Sequence, residues 1–253
     1  MKILIAHDGS LSSDAAIEDM RRAGLPQDAN AFVVSIAGDG SPHAKAAAET
    51  AGNRIQSDFP QWKLSSEAFS GSPSDVILKT SGWWRPDLLI IGSDTFALQR
   101  SLTSGVSLDV VHRARCSVRV ARTGTPSTSG PIRLLIGHNG SKACEAVIHE
   151  VARRRWPENT EAHVISVVDT ASPQRTAQED CVNRLRDAGL AVHRRFIDGD
   201  PHQTLLREAE RCNADAIFVA PHCLHGMERF LLGSVATAVV TRARSTVEIV
   251  RQN

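Results

Sequence analysis

The sequence predicts an α/β fold built from two tandem doubly wound domains, each with a five-stranded parallel-type sheet. Three observations lead to this fold class. The chain has 253 residues, more than one hydrophobic core usually organises. A set of short motifs occurs twice in the same order, which indicates a duplication. Within each copy, short apolar runs alternate with longer amphipathic stretches, as strands alternate with helices in parallel sheets.

The first copy contains five strand candidates, each a short apolar or β-branched run between turn residues. They are residues 3–6, 31–36, 64–69, 88–91 and 117–121. After the first strand, Ser10 or Ser13 can cap a helix that runs through Met20. In open parallel sheets the ligand crevice lies beyond the carboxyl ends of the strands, so we expect any site at the Asp8 loop and the Gly92 loop.

Three motifs recur in the two copies. One is an apolar run followed by His, an acid or its amide, Gly and Ser. Another is Gly-x-Pro ahead of an Asp that leads an apolar run, and the last is Val-Val-x-Arg-Ala-Arg before a β-branched run. They occupy residues 3–10, 71–92 and 110–120 in the first copy and 134–141, 199–220 and 239–250 in the second.

The segment between the two copies has a different composition. Residues 123–131 are rich in Gly, Pro, Ser and Thr and have no apolar period, which is typical of a linker. We therefore predict a first domain at residues 1–122, a linker at 123–131 and a second domain at 132–253.

Charge and cysteine content exclude several classes of protein. The 29 Lys and Arg residues nearly balance the 28 Asp and Glu residues and are spread along both halves, so no basic face for nucleic acid is predicted. The first residues are too polar for a signal peptide, and no apolar run reaches membrane-spanning length. The five scattered cysteines lack CxxC spacing. We expect a cytoplasmic protein that binds neither nucleic acid nor membranes.

The ordered motifs resemble those of the universal stress protein family. They comprise the Asp-Gly-Ser turn at residues 8–10, the helix entry at Gly71, the strand that ends at Gly92 and the Arg-Ala-Arg run before the last strand. The resemblance covers nearly the whole chain twice. It implies a Rossmann-like fold of the adenine nucleotide α-hydrolase type, in which the last strands, near Val118 and Val247, pair the domains as a pseudo-twofold intramolecular dimer. A further homodimer is left open.

The resemblance also implies a ligand. Nucleotide-binding members of this family hold ATP with the Asp of the first loop, the end of the second strand and a G-x2-G-x9-G-[ST] loop around the phosphates. We therefore expect an adenine nucleotide, ATP with Mg²⁺ as its counter-ion, in at least one domain. The matching positions are Ala6, Asp8, Ile36, Gly92, Ser104, Gly105, Val106 and Ser107 in the first copy and Asn139, Val167, Gly226, Gly233, Ser234 and Val235 in the second.

Neither copy has the complete family pattern. The first copy has Thr95 where the second loop glycine is expected, and its closing glycine loop is one residue shorter. The second copy keeps that closing loop but has Asn139, Ala220 and Cys223 in place of the family's Asp and its first two glycines. In both copies the Asx side chain, Asp8 or Asn139, either holds a nucleotide or caps the turn that follows it.

Other polar residues have a structural and a functional interpretation. His222, Cys223 and His225 offer zinc donors, but they lie in one loop without a second ligand pair, so we expect no metal. His7 and His138 end equivalent strands, where a hydrogen-bonded core imidazole is the favoured interpretation over ligand contact or acid–base chemistry.

No catalytic motif is present. A nucleophile elbow, an H-E-x-x-H helix, a Walker A loop and an S-G-G-x-D-S loop are all missing, so we predict no catalytic residue. Three function classes remain open. They are a non-enzymatic stress-response protein that binds an adenine nucleotide, a ligand-free interaction scaffold with degenerate sites, and a slow nucleotide hydrolase. The glycine loops favour the first class, although fold alone does not decide among them.

Overall fold

A computed structural model describes residues 1–37, 42–94, 105–123, 130–168, 177–221 and 232–251. The chain divides into two compact units, Met1–Gly124, called unit 1, and Thr125–Gln252, called unit 2. The division falls inside residues 123–131. Most of that segment lies outside the described residues, so the linker and the exact domain boundaries stay predictions.

Unit 1 is a five-stranded parallel sheet whose strands are connected through helices. Its elements are β1 (Lys2–Ala6), α1 (Leu11–Met20), β2 (Asn30–Ala37), α2 (Pro42–Asp58), β3 (Lys63–Ser70), α3 (Pro73–Trp84), β4 (Leu88–Ser93), α4 (Val106–Arg113) and β5 (Ser117–Arg122). The strand order is β3-β2-β1-β4-β5, and neighbouring strands run parallel. All five predicted strands of the first copy are confirmed.

Unit 2 repeats this architecture. Its elements are β6 (Arg133–Gly137), α5 (Lys142–Ala152), β7 (Glu161–Val168), α6 (Ala177–Asp187), β8 (Ala191–Asp198), α7 (Pro201–Arg211), β9 (Ala216–Val219), α8 (Ser234–Arg242) and β10 (Thr246–Ile249). The strand order is β8-β7-β6-β9-β10, again parallel. The predicted tandem doubly wound fold is confirmed, whereas the pseudo-twofold pairing of the units stays a prediction.

The same side-chain clamp fixes the central strands of both sheets. The N–H of Lys2 donates to Asp87 Oδ2 at 2.7 Å, and the N–H of Asp87 donates back to the Lys2 carbonyl at 2.9 Å. In unit 2, Arg133 and Asp215 make the equivalent two bonds, both at 2.8 Å. This repetition explains why an Asp precedes the fourth strand of each copy.

Each unit has its own apolar core on the sheet. In unit 1 the core contains Ile3, Ile5, Ile17, Ile55 and Ile90, all fully buried, and it is closed by helices α1 and α2. The core of unit 2 is built in the same way from its own strands and from helices α5 and α6. The central strands are apolar at successive positions because a parallel sheet is covered on both faces.

A buried ion pair ties the last strand to the first helix region of each unit, with the charges exchanged between the copies. In unit 1, Arg119 of β5 donates to Asp19 of α1 at 3.0 Å. In unit 2, the counterpart of Arg119 is Glu248 of β10, which accepts from Arg154, just after α5, at 3.0 Å. Arg154 also donates to Glu150 of α5, the counterpart of Asp19, at 2.9 Å. Arg119 and Glu248 are almost fully buried. Each strand therefore has an electrostatic requirement that its own unit satisfies.

Two general expectations concern membranes and thiols. No helix within the described ranges is both long and apolar enough to cross a membrane. The four cysteines inside the described ranges, Cys116, Cys144, Cys181 and Cys212, are buried free thiols. Burial raises the pKa of Cys181 and of Cys212, so both side chains are protonated at neutral pH.

Candidate functional site

The first loop of each unit folds into the same turn. Asp8 Oδ1 accepts the N–H of Ser10 at 3.0 Å, and Asn139 Oδ1 accepts the N–H of Ser141 at 3.0 Å. Each serine hydroxyl then accepts an N–H three residues further on, at 3.3 and 3.4 Å, and caps the helix. The intervening glycine has a φ of 81° or 77°, which explains Gly at both positions. The turn-forming interpretation of Asp8 and Asn139 is thus realised in both units.

The two Asx side chains differ in charge. Burial raises the pKa of Asp8, but hydrogen bonds from the Ser10 hydroxyl and N–H and from Ser13 outweigh it, so this pKa lies below its ordinary value. Asp8 is a carboxylate at neutral pH and can only accept hydrogen bonds. Asn139 is a neutral amide that can accept and donate. The first loop therefore carries a negative charge in unit 1 and none in unit 2.

The two strand-end histidines are hydrogen-bonded inside the protein. His7 Nδ1 accepts the N–H of Gly9 at 3.3 Å, and its Nε2 lies 3.1 Å from Asp14 Oδ1. His138 makes the same bond to the following glycine at 3.2 Å, and its Nε2 lies 3.5 Å from Cys181 Sγ. Burial lowers the pKa of His138, which is therefore neutral at pH 7. This geometry supports the core-imidazole interpretation of both histidines.

Unit 2 contains a cleft at the carboxyl ends of its strands. Its volume is about 750 Å³, within the range of small-molecule sites. Among the residues predicted for the second copy, the cleft brings together Asn139, Val167, Gly233, Ser234 and Val235. The sixth, Gly226, lies outside the described residues. Five positions that are up to 96 residues apart in sequence, from Asn139 to Val235, thus face one cavity, as the order of the strands predicts.

The cleft has an apolar wall and a polar end. Ile165, Leu205 and Val219 contribute apolar lining that sequence analysis did not predict. Gly137 leaves room for this wall, because a Cβ there would lie 3.1 Å from the Leu205 side chain and 3.2 Å from that of Val219. The first copy has Ala6 where the second copy has Gly137. This change was the one signal in the sequence that the second copy has room for an apolar wall.

The polar end of the cleft is the start of helix α8. Gly233 is the N-cap residue, and no side-chain bond from the described residues caps the first turn. The amide groups of that turn are therefore available to an acceptor in the cleft, and the helix dipole favours an anion there. Ser234, which is exposed, adds a hydroxyl donor. The first turn of α5 lines the same cleft through Ser141.

In unit 1 the protein's own backbone lies where the family pattern places a ligand contact. A Cβ on Gly92 would lie 1.9 Å from the carbonyl oxygen of Ser12 and 2.6 Å from the nitrogen of Ser13. The first turn of α1 therefore packs directly on the end of β4. Its counterpart in unit 2, Ala220, has a Cβ and lines the cleft. Close backbone packing explains the glycine at position 92, and its predicted role in nucleotide binding stays a prediction.

The other described residues predicted for the site of unit 1 lie at strand ends and at the start of α4, and their predicted roles stay predictions. The hydroxyl of Ser107, which is buried, donates to the Gly92 carbonyl at 3.2 Å and joins α4 to β4. Gly105 is the N-cap of α4, and Val106 is exposed. Ala6 is the last residue of β1 and Ile36 the penultimate residue of β2, and both are half-buried.

Several predicted or considered residues fall outside the described part of the chain. They are Ser104 and Gly226 of the glycine loops and His222, Cys223 and His225 of the loop considered for metal binding. Their predicted roles are neither supported nor contradicted.

The fold and the cleft define a tandem doubly wound α/β protein with a ligand-sized crevice in its second half. A sequence model described as the Universal stress protein family matches residues 1–122 and 175–251. Because the match covers most of the chain, this protein belongs to the universal stress protein family. The resemblance inferred from the motifs is thereby confirmed.

The chain is similar to individual relatives and solved structures. A universal stress protein from Mycobacterium tuberculosis is 28% identical over 209 residues, which are 75% of this chain and 70% of the relative. The crystal structure of a universal stress protein from Archaeoglobus fulgidus covers 100% of this chain and 96% of its own, with a TM-score of 0.70 and 20% identity. A universal stress protein solved in complex with cAMP covers 49% of this chain at 24% identity, with a TM-score of 0.41.

Proposed function

We propose that this protein is a non-enzymatic, cytoplasmic stress-response protein that binds an adenine nucleotide, ATP with Mg²⁺ as its counter-ion, in unit 2. The observation that supports this proposal most is the cleft of about 750 Å³ between the first loop and the start of α8. Its volume exceeds what a single metabolite of a few atoms would fill and suits a nucleotide. Unit 1 takes no part in the proposed binding.

The chemistry of the lining suits the two ends of a nucleotide. The apolar wall formed by Ile165, Val167 and Leu205 offers a surface for a planar base. The amide groups at the start of α8 offer donors to phosphate oxygens, and glycine at 233 allows their close approach. Asn139 brings no negative charge to this site, so it does not repel phosphates as a carboxylate would.

The arrangement favours binding over hydrolysis. His138 is the one histidine among the described lining residues, and both of its ring nitrogens already face protein atoms, Gly140 and Cys181. It is therefore not placed to take a proton from a water molecule. Slow hydrolysis is a competing function, and release of inorganic phosphate from ATP measures it directly.

Calorimetry of the full chain with Mg-ATP tests the proposal. Gly233→Val places a branched side chain at the start of α8, and we expect it to weaken ATP binding more than about tenfold, or about 1.4 kcal/mol. The matched control is Gly105→Val at the start of α4, which should leave the affinity unchanged. Circular dichroism verifies that both variants are folded.

The other outcomes identify the competing functions. Loss of binding in Gly105→Val with normal binding in Gly233→Val would move the site to unit 1. If the wild type gives no heat and no thermal shift at millimolar Mg-ATP, nucleotide binding is wrong and the ligand-free interaction scaffold replaces it. Mass spectrometry of the protein under native conditions provides an independent measurement, because a co-purified nucleotide adds its own mass.

A further inference from the structure

A second cluster of functional side chains lies in unit 2, outside the cleft. Glu161 and His163 of β7 and His193 of β8 each offer a ligand atom, and the three atoms lie within 4.8 Å of one another. His163 Nε2 is 3.2 Å from Glu161 Oε2, and the two imidazole rings are stacked with centroids 4.9 Å apart. We propose that these three residues form a binding site for a divalent transition-metal ion, with Zn²⁺ as the representative ion.

The backbone holds these side chains on one face of the sheet. His163 and His193 are direct partners in the register of the parallel strands β7 and β8. Glu161 lies two residues before His163 on the same strand, so its side chain points to the same face. All three ligands come from strands of a hydrogen-bonded sheet, which provides a more rigid frame than a loop.

The donor set is selective in its chemistry. Two imidazoles and one carboxylate suit Zn²⁺ and its first-row neighbours, whereas Mg²⁺ and Ca²⁺ prefer oxygen ligands alone. Three protein ligands leave a fourth position, which is open to water or to an exogenous ligand.

The Glu161 carboxylate already lies beside a positively charged side chain. The same Glu161 oxygen that faces His163 also lies 3.4 Å from Arg133 Nε. A bound cation at this carboxylate takes over that neutralising role. His163 is buried and its Nδ1 has no hydrogen-bond partner within the described residues, whereas His193 is exposed. The cluster is therefore open to solvent on the His193 side, where an ion can enter.

Unit 1 lacks the site at equivalent positions. Arg133 pairs with Glu161 in unit 2 as Lys2 pairs with Asn30 in unit 1, so Asn30 is the counterpart of Glu161. By the same register, Phe32 and Ser65 are the counterparts of His163 and His193. None of these three side chains is a common zinc ligand. The donor set is therefore a feature of the second copy and not a requirement of the fold.

The metal site is separate from the nucleotide cleft. Val167, which lines the cleft, lies four residues beyond His163 on the same strand, a separation of about 13 Å at the usual rise of a strand. Binding of Zn²⁺ can therefore be measured without nucleotide, and failure of one site leaves the other proposal standing.

Calorimetric titration of the full, metal-free chain with Zn²⁺ tests this site. We expect the wild type to bind one Zn²⁺ here, and His193→Ala and Glu161→Gln each to weaken this binding more than about tenfold. His193 is exposed, so its removal does not disturb the core. The matched control is the double variant His222→Ala/His225→Ala, which removes the other histidine pair and should leave this binding unchanged.

Two further readouts identify the ligands. Zn²⁺ should raise the melting temperature of the wild type and of the double variant but not that of His193→Ala. Co²⁺ in place of Zn²⁺ should broaden the NMR signals of both imidazoles and give an absorption spectrum without thiolate charge-transfer bands. The proposal is overturned if the wild type binds no Zn²⁺ at high-micromolar concentration, or if His193→Ala and Glu161→Gln bind Zn²⁺ as the wild type does.

Discussion

The two units share a fold and differ in how closely the first helix approaches the fourth strand of the sheet. In unit 1 the first turn of α1 leaves no space for a Cβ at Gly92. In unit 2 the same position is Ala220, which has a Cβ and faces an open cleft. Because real Cβ contacts stay beyond about 3 Å, the first loop must stand at least about 1 Å farther from this position in unit 2. A small difference in backbone position at the end of the fourth strand thus distinguishes the two units.

The comparison is tested most strongly by exchanging the two residues. Gly92→Ala places a methyl group 1.9 Å from a carbonyl oxygen of the backbone. We expect it to lower the free energy of unfolding of unit 1 by about 3 kcal/mol or more, at the upper end of overpacking effects. Hydrogen exchange measured by mass spectrometry should show faster exchange in the peptides of α1 and β4.

The reverse exchange provides the control. Ala220→Gly should cost only about 1 kcal/mol, because it removes a methyl group beside a cleft and adds backbone freedom. If Gly92→Ala and Ala220→Gly lower the free energy of unfolding equally, the first loop approaches the sheet equally closely in the two units. That result would contradict the proposed difference between the units. Unchanged exchange in Gly92→Ala would contradict it as well.

The first loops provide a second, smaller contrast. Asn139→Ala removes an amide at the edge of the cleft and should weaken Mg-ATP binding by about 0.5 to 1.5 kcal/mol, as expected for one neutral hydrogen bond. Asp8→Ala in unit 1 should leave the affinity unchanged. Calorimetry on both variants distinguishes the units, and a loss of affinity confined to Asp8→Ala would show that unit 1 is the binding unit.

Removal of the helix cap should cost the same stability in both units. Equal costs would verify that the difference between the units is confined to the approach of the first helix to the fourth strand. Ser10→Ala and Ser141→Ala each remove a hydroxyl that caps a helix, at a cost of about 1 kcal/mol. Hydrogen exchange in increasing concentrations of urea reports the stability of each unit separately and therefore measures the loss of stability in both variants. A much larger loss in one unit would show that its first loop depends on contacts that the other lacks.

The smallest expected effect is a difference in acid sensitivity. Burial holds the pKa of His138 below its ordinary value of 6.5, so the unfolded state binds this proton more readily. The stability of unit 2 should therefore fall as the pH drops below about 6.5. The low pKa of Asp8 acts in the same direction in unit 1, but only below its ordinary value of 3.8.

Thermal unfolding between pH 7 and pH 5, followed by hydrogen exchange in each unit, measures this difference. His138→Asn keeps an acceptor for the Gly140 N–H and removes one titrating group of unit 2, so it should reduce the pH dependence of that unit. Burial also lowers the pKa of His163, which contributes the remainder. An unchanged slope in that variant would assign the effect to another residue.

Much of the fold was predictable from the sequence because it depends on local patterns. Apolar runs and capping serines gave the strands and the start of α1, and the repeated motifs located the crevice. Five of the six site residues predicted for the second copy line one cavity, because the ends of adjacent parallel strands lie side by side.

The features that were not predictable depend on side chains or backbone brought together from distant segments. The packing of Ser12 on Gly92 is a contact between the ends of two loops, and both copies show similar residues around it. His163 and His193 are 30 residues apart and become neighbours only through the register of β7 and β8. Spacing rules for metal ligands therefore directed attention to His222 and His225 instead.

The exchanged ion pairs have a consequence for how a tandem repeat assembles. Two similar halves on one chain can misassemble by inserting a strand of one half into the sheet of the other. Such an exchange would place Glu248 beside Asp19, a pairing of like charges that is unfavourable away from water, whereas Arg119 would meet both Arg154 and Glu150. We therefore expect the charge of Glu248 to disfavour insertion of the last strand of unit 2 into the sheet of unit 1.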